Sequence, residues 1–170
     1  MHLPFPGGEI RSWTLADIPD LVLLADNRNV WRNLRDRFPS PYARSDARGW
    51  VRGVNGRSPV CHFAIARDGA LAGGIGILLQ EDVHTGTAEI GYWLGEPFWG
   101  RGLMTAALQA FSAHAFETYG LRRLYAQVLE WNPASMRVLE KAGYALEGRQ
   151  RRSALKDGVI ADEFLYARIV

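Results

Sequence analysis

Apolar and polar positions alternate most clearly in the middle of the chain. Val60 to Arg67 and Ala70 to Leu79 are β-like runs. Asp68-Gly69 between them has the composition of a two-residue hairpin turn. His84-Thr85-Gly86 turns the chain into a third run, Thr87 to Leu94. There Ala88, Ile90, Tyr92 and Leu94 point to one face, and Thr87, Glu89, Gly91 and Trp93 to the other. The period then changes. Leu103, Met104, Ala107, Leu108, Phe111 and Ala115 recur at three- and four-residue steps, which predicts a helix over about 101–119, with Gly120 at its C-terminal cap. Leu124 to Leu129 reads as a strand. Asn132-Pro133 starts a second helix, with Asn as N-cap and Pro at the first helical position, and Gly143 ends it. Tyr144 to Arg152 and Val159 to Ile169 pair as strands around Lys156-Asp157-Gly158.

The first third of the chain is less regular. Residues 9–14 predict one short strand. Thr14 or Asp17 can cap a helix over about 18–26, whose first turn tolerates Pro19. Residues 26–59, with their Asn, Pro and Arg, predict one or two short helices and loops. The order is β-α-α-β-β-β-α-β-α-β-β. No repeat, low-complexity tract or long linker divides it, so residues 1–170 are expected to be one α/β domain with a mixed sheet.

Composition narrows the function. The chain has 170 residues, 48% hydrophobic and 22% charged, enough to fill one core and too apolar for wholesale disorder. Its 20 Lys and Arg against 18 Asp and Glu leave +2, too balanced for a coat on nucleic acid, and no stable nucleic-acid binding is expected. Of the 20 basic residues 18 are Arg, and seven of these oppose three Asp within 26–52. The single cysteine, Cys61, excludes an internal disulfide and a cysteine-rich metal site and reads as core. The histidines at 2, 62, 84 and 114 have no metal spacing, so no metal is expected. Nothing approaches the roughly 18 apolar residues of a membrane span. Met1 to Arg11 carries Pro4, Pro6 and Gly7-Gly8 where a signal peptide would need an apolar run, so a soluble cytoplasmic domain is expected.

Gly100-Arg101-Gly102 lies between a strand and a helix start. With 18 glycines in 170 residues, roughly two Gly-x-Gly triplets arise by chance, so context carries the information. Backbone N–H groups of a helix's first turn lack internal partners, and the helix dipole favours an anion there. Glycines at 100 and 102 let a phosphate approach without Cβ obstruction. An ordinary tight turn would look the same. No Gly-Lys-Ser/Thr follows, which excludes a Walker loop, and the third glycine of a dinucleotide fingerprint is missing.

Four segments, in this order, resemble the GNAT acetyltransferase superfamily. They are Glu89-Ile90-Gly91-Tyr92-Trp93-Leu94, Phe98-Trp99-Gly100-Arg101-Gly102-Leu103-Met104-Thr105, Asn132-Pro133-Ala134-Ser135 and Val138-Leu139-Glu140-Lys141-Ala142-Gly143-Tyr144. Within it they are most similar to the ribosomal-protein N-terminal acetyltransferase (RimJ/RimL-type) branch, and Asn29 to Ala47 is similar to that branch's variable substrate-side segment. The resemblance implies a mixed central sheet of about six to seven strands flanked by helices. It also implies a V-shaped splay between the third long strand and the strand after the main helix. Acetyl-CoA is the implied donor, released as CoA, and a primary amine, on a protein N-terminus or a small molecule, is the acceptor. The family's phosphate loop reads Gln/Arg-x-x-Gly-x-Gly/Ala. Trp99 and Met104 depart from it here, so Met104 must point away from the pyrophosphate. Relatives are often dimers, and a homodimer is compatible with the resemblance.

The resemblance also assigns roles. Glu89 is the candidate general base, and a carboxylate dehydrated beside Trp93 would have a raised pKa suited to that work. A solvated strand glutamate is the plain alternative. The demand on it depends on the acceptor. An α-amino group, with pKa near 8, is about a tenth free at pH 7, whereas a lysine needs about 4–5 kcal/mol. A water chain is another route. Ser135 is the candidate general acid toward the departing sulfur, at a helix N-terminus that also favours a thiolate. Serine is equally common there for capping, and Tyr144 or Tyr166 could donate instead. Tyr92, Trp93 and Leu94 would offer backbone groups to the pantetheine arm, with one N–H holding the thioester carbonyl. Asn132 would bond the same arm. Trp99, Gly100, Arg101, Gly102, Leu103, Met104 and Thr105 form the implied phosphate loop, and Arg137 is a phosphate neighbour. Trp31 is a candidate for the acceptor cleft. Arg149, Arg151 and Arg152 read as a solvated basic strand. A GNAT fold that binds acyl-CoA as a sensor, or docks on a ribosomal particle without turnover, is the competing reading. A different acyl chain, such as succinyl, is a third.

Overall fold

The structure, a computed structural model, describes residues 1–170. Eight strands make one sheet: β1 (His2–Phe5), β2 (Gly8–Arg11), β3 (His62–Arg67), β4 (Ala70–Leu79), β5 (Thr87–Leu94), β6 (Arg123–Leu129), β7 (Ala145–Lys156) and β8 (Val159–Ile169). Their order across the sheet is β1-β2-β3-β4-β5-β6-β8-β7. Every neighbouring pair is antiparallel except β5–β6. The helices are α1 (Ile18–Ala25), α2 (Arg28–Trp31), α3 (Arg44–Asn55), α4 (Leu103–Tyr119) and α5 (Pro133–Lys141). No helix is long and apolar enough to cross a membrane.

The two faces of β5 lead into two cores, as its alternation predicts. Ala88, Ile90 and Leu94 enter the larger core, where Leu103, Leu108 and Phe111 of α4 pack with Leu124 of β6 and Leu139 of α5. Trp93 lies on the other face, against the smaller core of Trp13, Leu21 and Leu24 with Ala47, Val51 and Val54 of α3. The sheet is thus covered on both sides, and β5 runs between them.

Three boundaries differ from the sequence expectation. The strand expected at 9–14 is a hairpin, β1–β2, because Gly7 adopts φ +93° and reverses the chain after Pro6. That is why there are eight strands. Main helix α4 begins at Leu103, since Gly100 and Gly102 both hold left-handed φ of +72° and +75°. Strand β7 continues to Lys156 rather than ending at Arg152. A bulge between Gln150 and Ala154, with Arg152 at φ +54°, absorbs the irregular stretch before Asp157-Gly158 turns tightly into β8.

Candidate active site

The site begins where two strands part. β5 and β6 pair only at Thr87↔Arg123, Ala88↔Leu124 and Glu89↔Tyr125. Beyond that row β5 runs on to Leu94 beside β4, and β6 runs on to Leu129 beside β8. A V therefore opens at Glu89, where the family resemblance implied one. Thr87 C=O accepts from Gln80 on the β4 side, and Gly95 N–H donates to Ala72 there (both 2.9 Å). Strand alternation then turns the backbone groups of Ile90, Tyr92 and Leu94 into the gap. Trp93 faces β4 with its backbone, opposite Gly74. The indole N–H of Trp99 donates to Leu94 C=O at 2.9 Å and ties the next loop to this edge.

That loop carries the glycine turn. Ala106 N–H is the first of α4 to bond back, to Gly102 C=O, so the N–H groups of Leu103, Met104 and Thr105 have no helical partner. Leu103 and Met104 are buried in the larger core, which leaves the backbone to face outward. A Cβ on Gly100 or Gly102 would meet nothing within 4 Å, so the space before the helix is open. Arg101 and Thr105 lie beside it, and Arg137 is exposed on α5.

Helix α5 supplies the opposite wall. The Asn132 side chain accepts from Ser135 N–H at 3.2 Å and caps the helix. The Ser135 hydroxyl lies 2.8 Å from the phenol of Tyr92, which reaches across from β5. Burial pushes that phenol far above its ordinary range, so it stays protonated. The other tyrosine candidates are committed elsewhere. Tyr144 OH meets the buried Ser112 hydroxyl at 2.8 Å, and burial pushes it up to about 12. Tyr166 OH donates to Glu140 at 2.9 Å.

On the other face of β5, Glu89 has a partner that its sequence neighbours do not announce. The guanidinium of Arg35 bonds its carboxylate, and also donates to the amide oxygen of Gln127 on β6 at 3.2 Å. Gln127 in turn donates to Gln150 at 2.7 Å. Trp93 packs edge-on against Phe38, with ring centroids 5.7 Å apart. Segment 26–43 thus lies over this face. Asn27 and Asn29 hold it to Glu96, and their hydrogen bonds keep the Glu96 carboxyl below its usual range.

Three other residues singled out in the sequence lie apart. Trp31 stacks on Lys156, whose ammonium is 3.6 Å from the ring centre and 2.7 Å from Asp36, in an open groove beside the β7–β8 turn. Cys61 is half-buried at the edge of the larger core, where burial raises its thiol. Arg149 is paired with Asp162 at 2.6 Å. Sequence reasoning missed Arg35, Gln127, Gln150 and the side chain of Tyr92. The arginine surplus in 26–52 and the polar Gln127 amid an apolar strand were the signals available.

This geometry has relatives. Residues 9–145 match the acetyltransferase (GNAT) domain model. The chain is 34% identical over 131 residues to the ribosomal-protein-serine acetyltransferase of Escherichia coli, covering 75% of this chain and 73% of that one. A RimL ribosomal L7/L12 alpha-N-protein acetyltransferase in complex with coenzyme A superposes with a TM-score of 0.88 at 26% identity, over 100% of this chain and 98% of that one. Mycobacterium smegmatis RimJ in complex with CoA-disulfide gives 0.87 at 25% identity, over 100% and 86% of the two chains. With a splayed sheet, a glycine turn before an open helix N-terminus and a match over most of its length, the chain belongs to the GNAT family of acetyltransferases and is an N-acetyltransferase.

Proposed function

We propose that the protein moves an acetyl group from acetyl-CoA to the α-amino group of a protein N-terminus by direct attack within a ternary complex. The observation that carries this reading is the splay after Glu89↔Tyr125. It leaves one edge of β5 open toward α5 on one face and Glu89 toward segment 26–43 on the other. The names of the relatives above support the acceptor class.

Acetyl-CoA supplies an activated thioester. The chain's own groups do the rest. The first-turn N–H groups of α4 at Leu103, Met104 and Thr105, with Gly100 and Gly102 keeping the approach clear, fit a pyrophosphate. Arg101 and Arg137 add charge at its rim. The open backbone groups of Tyr92 and the N–H of Leu94 fit an extended pantetheine arm, as an added strand would, with Asn132 on the opposite wall and Trp99, bonded to the Leu94 carbonyl, fixing the loop. Glu89 takes the proton of the attacking amine through the oxygen that Arg35 leaves free, or after Arg35 moves aside. Ser135, aligned by Tyr92, gives a proton to the departing sulfur. An α-amine suits this site because about a tenth of it is already neutral at pH 7. On this reading the protein works in the cytoplasm.

Glu89→Gln tests it. Turnover should fall more than coenzyme affinity, and most at low pH, where more of the amine is protonated. A rate unchanged from about pH 6 to 9 would remove Glu89 as the base.

A further inference from the structure

We propose that Glu89 and Gln127 together form the seat for the acceptor's ammonium, and that Arg35 fills this seat until the acceptor displaces it. The inference rests on the transferase reading above and adds a second acceptor-binding residue to it.

The seat lies at the apex of the V. Glu89 belongs to the last paired row of β5 and β6, and Gln127 is two residues beyond its partner Tyr125, hence on the same face. One guanidinium nitrogen, Nη2 of Arg35, donates to Oε1 of both residues. Gln127 is oriented for this. Its amide nitrogen donates to Gln150 at 2.7 Å, which turns its oxygen toward the cation. A carboxylate and an amide oxygen converging on one nitrogen recognise a compact cation with at least two N–H donors. A primary ammonium has three.

Arg35 has the properties of a removable occupant. Its side chain is 49% exposed, and it comes from a segment outside any helix or strand. The Glu89 side chain is 16% exposed, and an ion pair open to solvent on its arginine side is weak. Its guanidinium does not lose its proton, so it cannot itself be acetylated there. The segment does not depend on it for anchorage. Phe38 packs on Trp93 and Tyr42, Asp36 pairs with Lys156, and Arg32 C=O accepts from Trp131. Arg35→Ala should therefore fold.

The test uses Arg35→Ala, Arg35→Ala/Gln127→Leu and Arg35→Ala/Glu89→Gln. The acceptor is a peptide with a free N-terminal serine, and the probe is millimolar guanidinium chloride. Arg35→Ala should lower the peptide KM by about two- to fivefold, the weight of one partly exposed ion pair. Guanidinium should compete with the peptide in Arg35→Ala and not in wild type, and either second substitution should abolish that competition. The line width of carbon-13 guanidinium, which needs no turnover, should broaden with Arg35→Ala alone. A raised or unchanged peptide KM in Arg35→Ala, or equal guanidinium broadening with and without Glu89, overturns the seat and leaves the transferase standing. Broadening specific to Arg35→Ala, with no thiol release from any amine, upholds a cation seat and removes the transferase reading.

Discussion

Replacing Tyr92 with Phe removes one hydroxyl and leaves the backbone edge of β5 intact. That hydroxyl sits 2.8 Å from Ser135 Oγ, in a position where burial keeps it protonated, so in the proposed mechanism it holds the serine's orientation. One part-buried hydrogen bond is worth about 0.5–1.5 kcal/mol, or about 1–6 °C in Tm for a domain of this size. The catalytic cost is set by a different quantity. A hydrogen bond to a group acquiring charge is worth about 1.5–3 kcal/mol. Ser135→Ala should therefore lower kcat by about one to two orders of magnitude, with the KM for acetyl-CoA little changed. Tyr92→Phe should cost less, because the serine remains. The double variant should be no slower than Ser135→Ala, since the two hydroxyls act as one unit. The assay is steady-state release of CoA thiol, with thermal unfolding measured on the same samples. Penalties that simply add, or a fall in Tm with no change in kcat, would refute the argument that the pair serves the leaving group.

Gly102→Ala places a Cβ at φ +75° in open space, so it should cost about 1–2 kcal/mol of stability through backbone strain alone and weaken CoA in a calorimetric titration. Asp17 tests a distant part of the fold. Burial alone would raise its carboxyl, but bonds from Arg11 and the Thr14 N–H outweigh burial and hold it below its usual range. A depressed folded-state pKa means this stability is fully present above the unfolded value near 3.8 and is lost as pH falls through the folded one. Urea midpoints of the wild type should fall in that acid window, and those of Asp17→Asn should be lower at neutral pH and flatter through it. Phe111→Ala empties a fully buried site in the larger core and should cost about 3–5 kcal/mol by denaturant unfolding.

What was readable in the sequence is what short-range chemistry dictates. The alternation of β5 assigned its faces because each side has its own core. Asp68-Gly69 marked a hairpin because both positions need positive φ, and Asn132-Pro133 marked a helix start because cap and ring each suit one position. The glycine turn was visible as a pattern, though only the open helix N-terminus gives it meaning. The rest depends on chain segments far apart. Arg35 meets Glu89 across 54 positions and Tyr92 meets Ser135 across 43, and nothing local records either encounter. Trp31, grouped with the arginine-rich acceptor segment, went instead to Lys156 on the β7–β8 hairpin, because a buried ammonium needs both a carboxylate and a ring face. The extent of β7 was hidden by its bulge, which breaks the two-residue period that would have carried the strand past Arg152.

Catalytic transfer and mere coenzyme binding differ in one observable. The most direct test is release of free CoA thiol from acetyl-CoA, measured with N-terminal peptides, free amino acids, polyamines and aminoglycosides as acceptors. Release is expected with peptides that carry a free α-amino group, and little with the others. Coenzyme binding without thiol release on any acceptor would contradict it and leave the splayed sheet as a binding module.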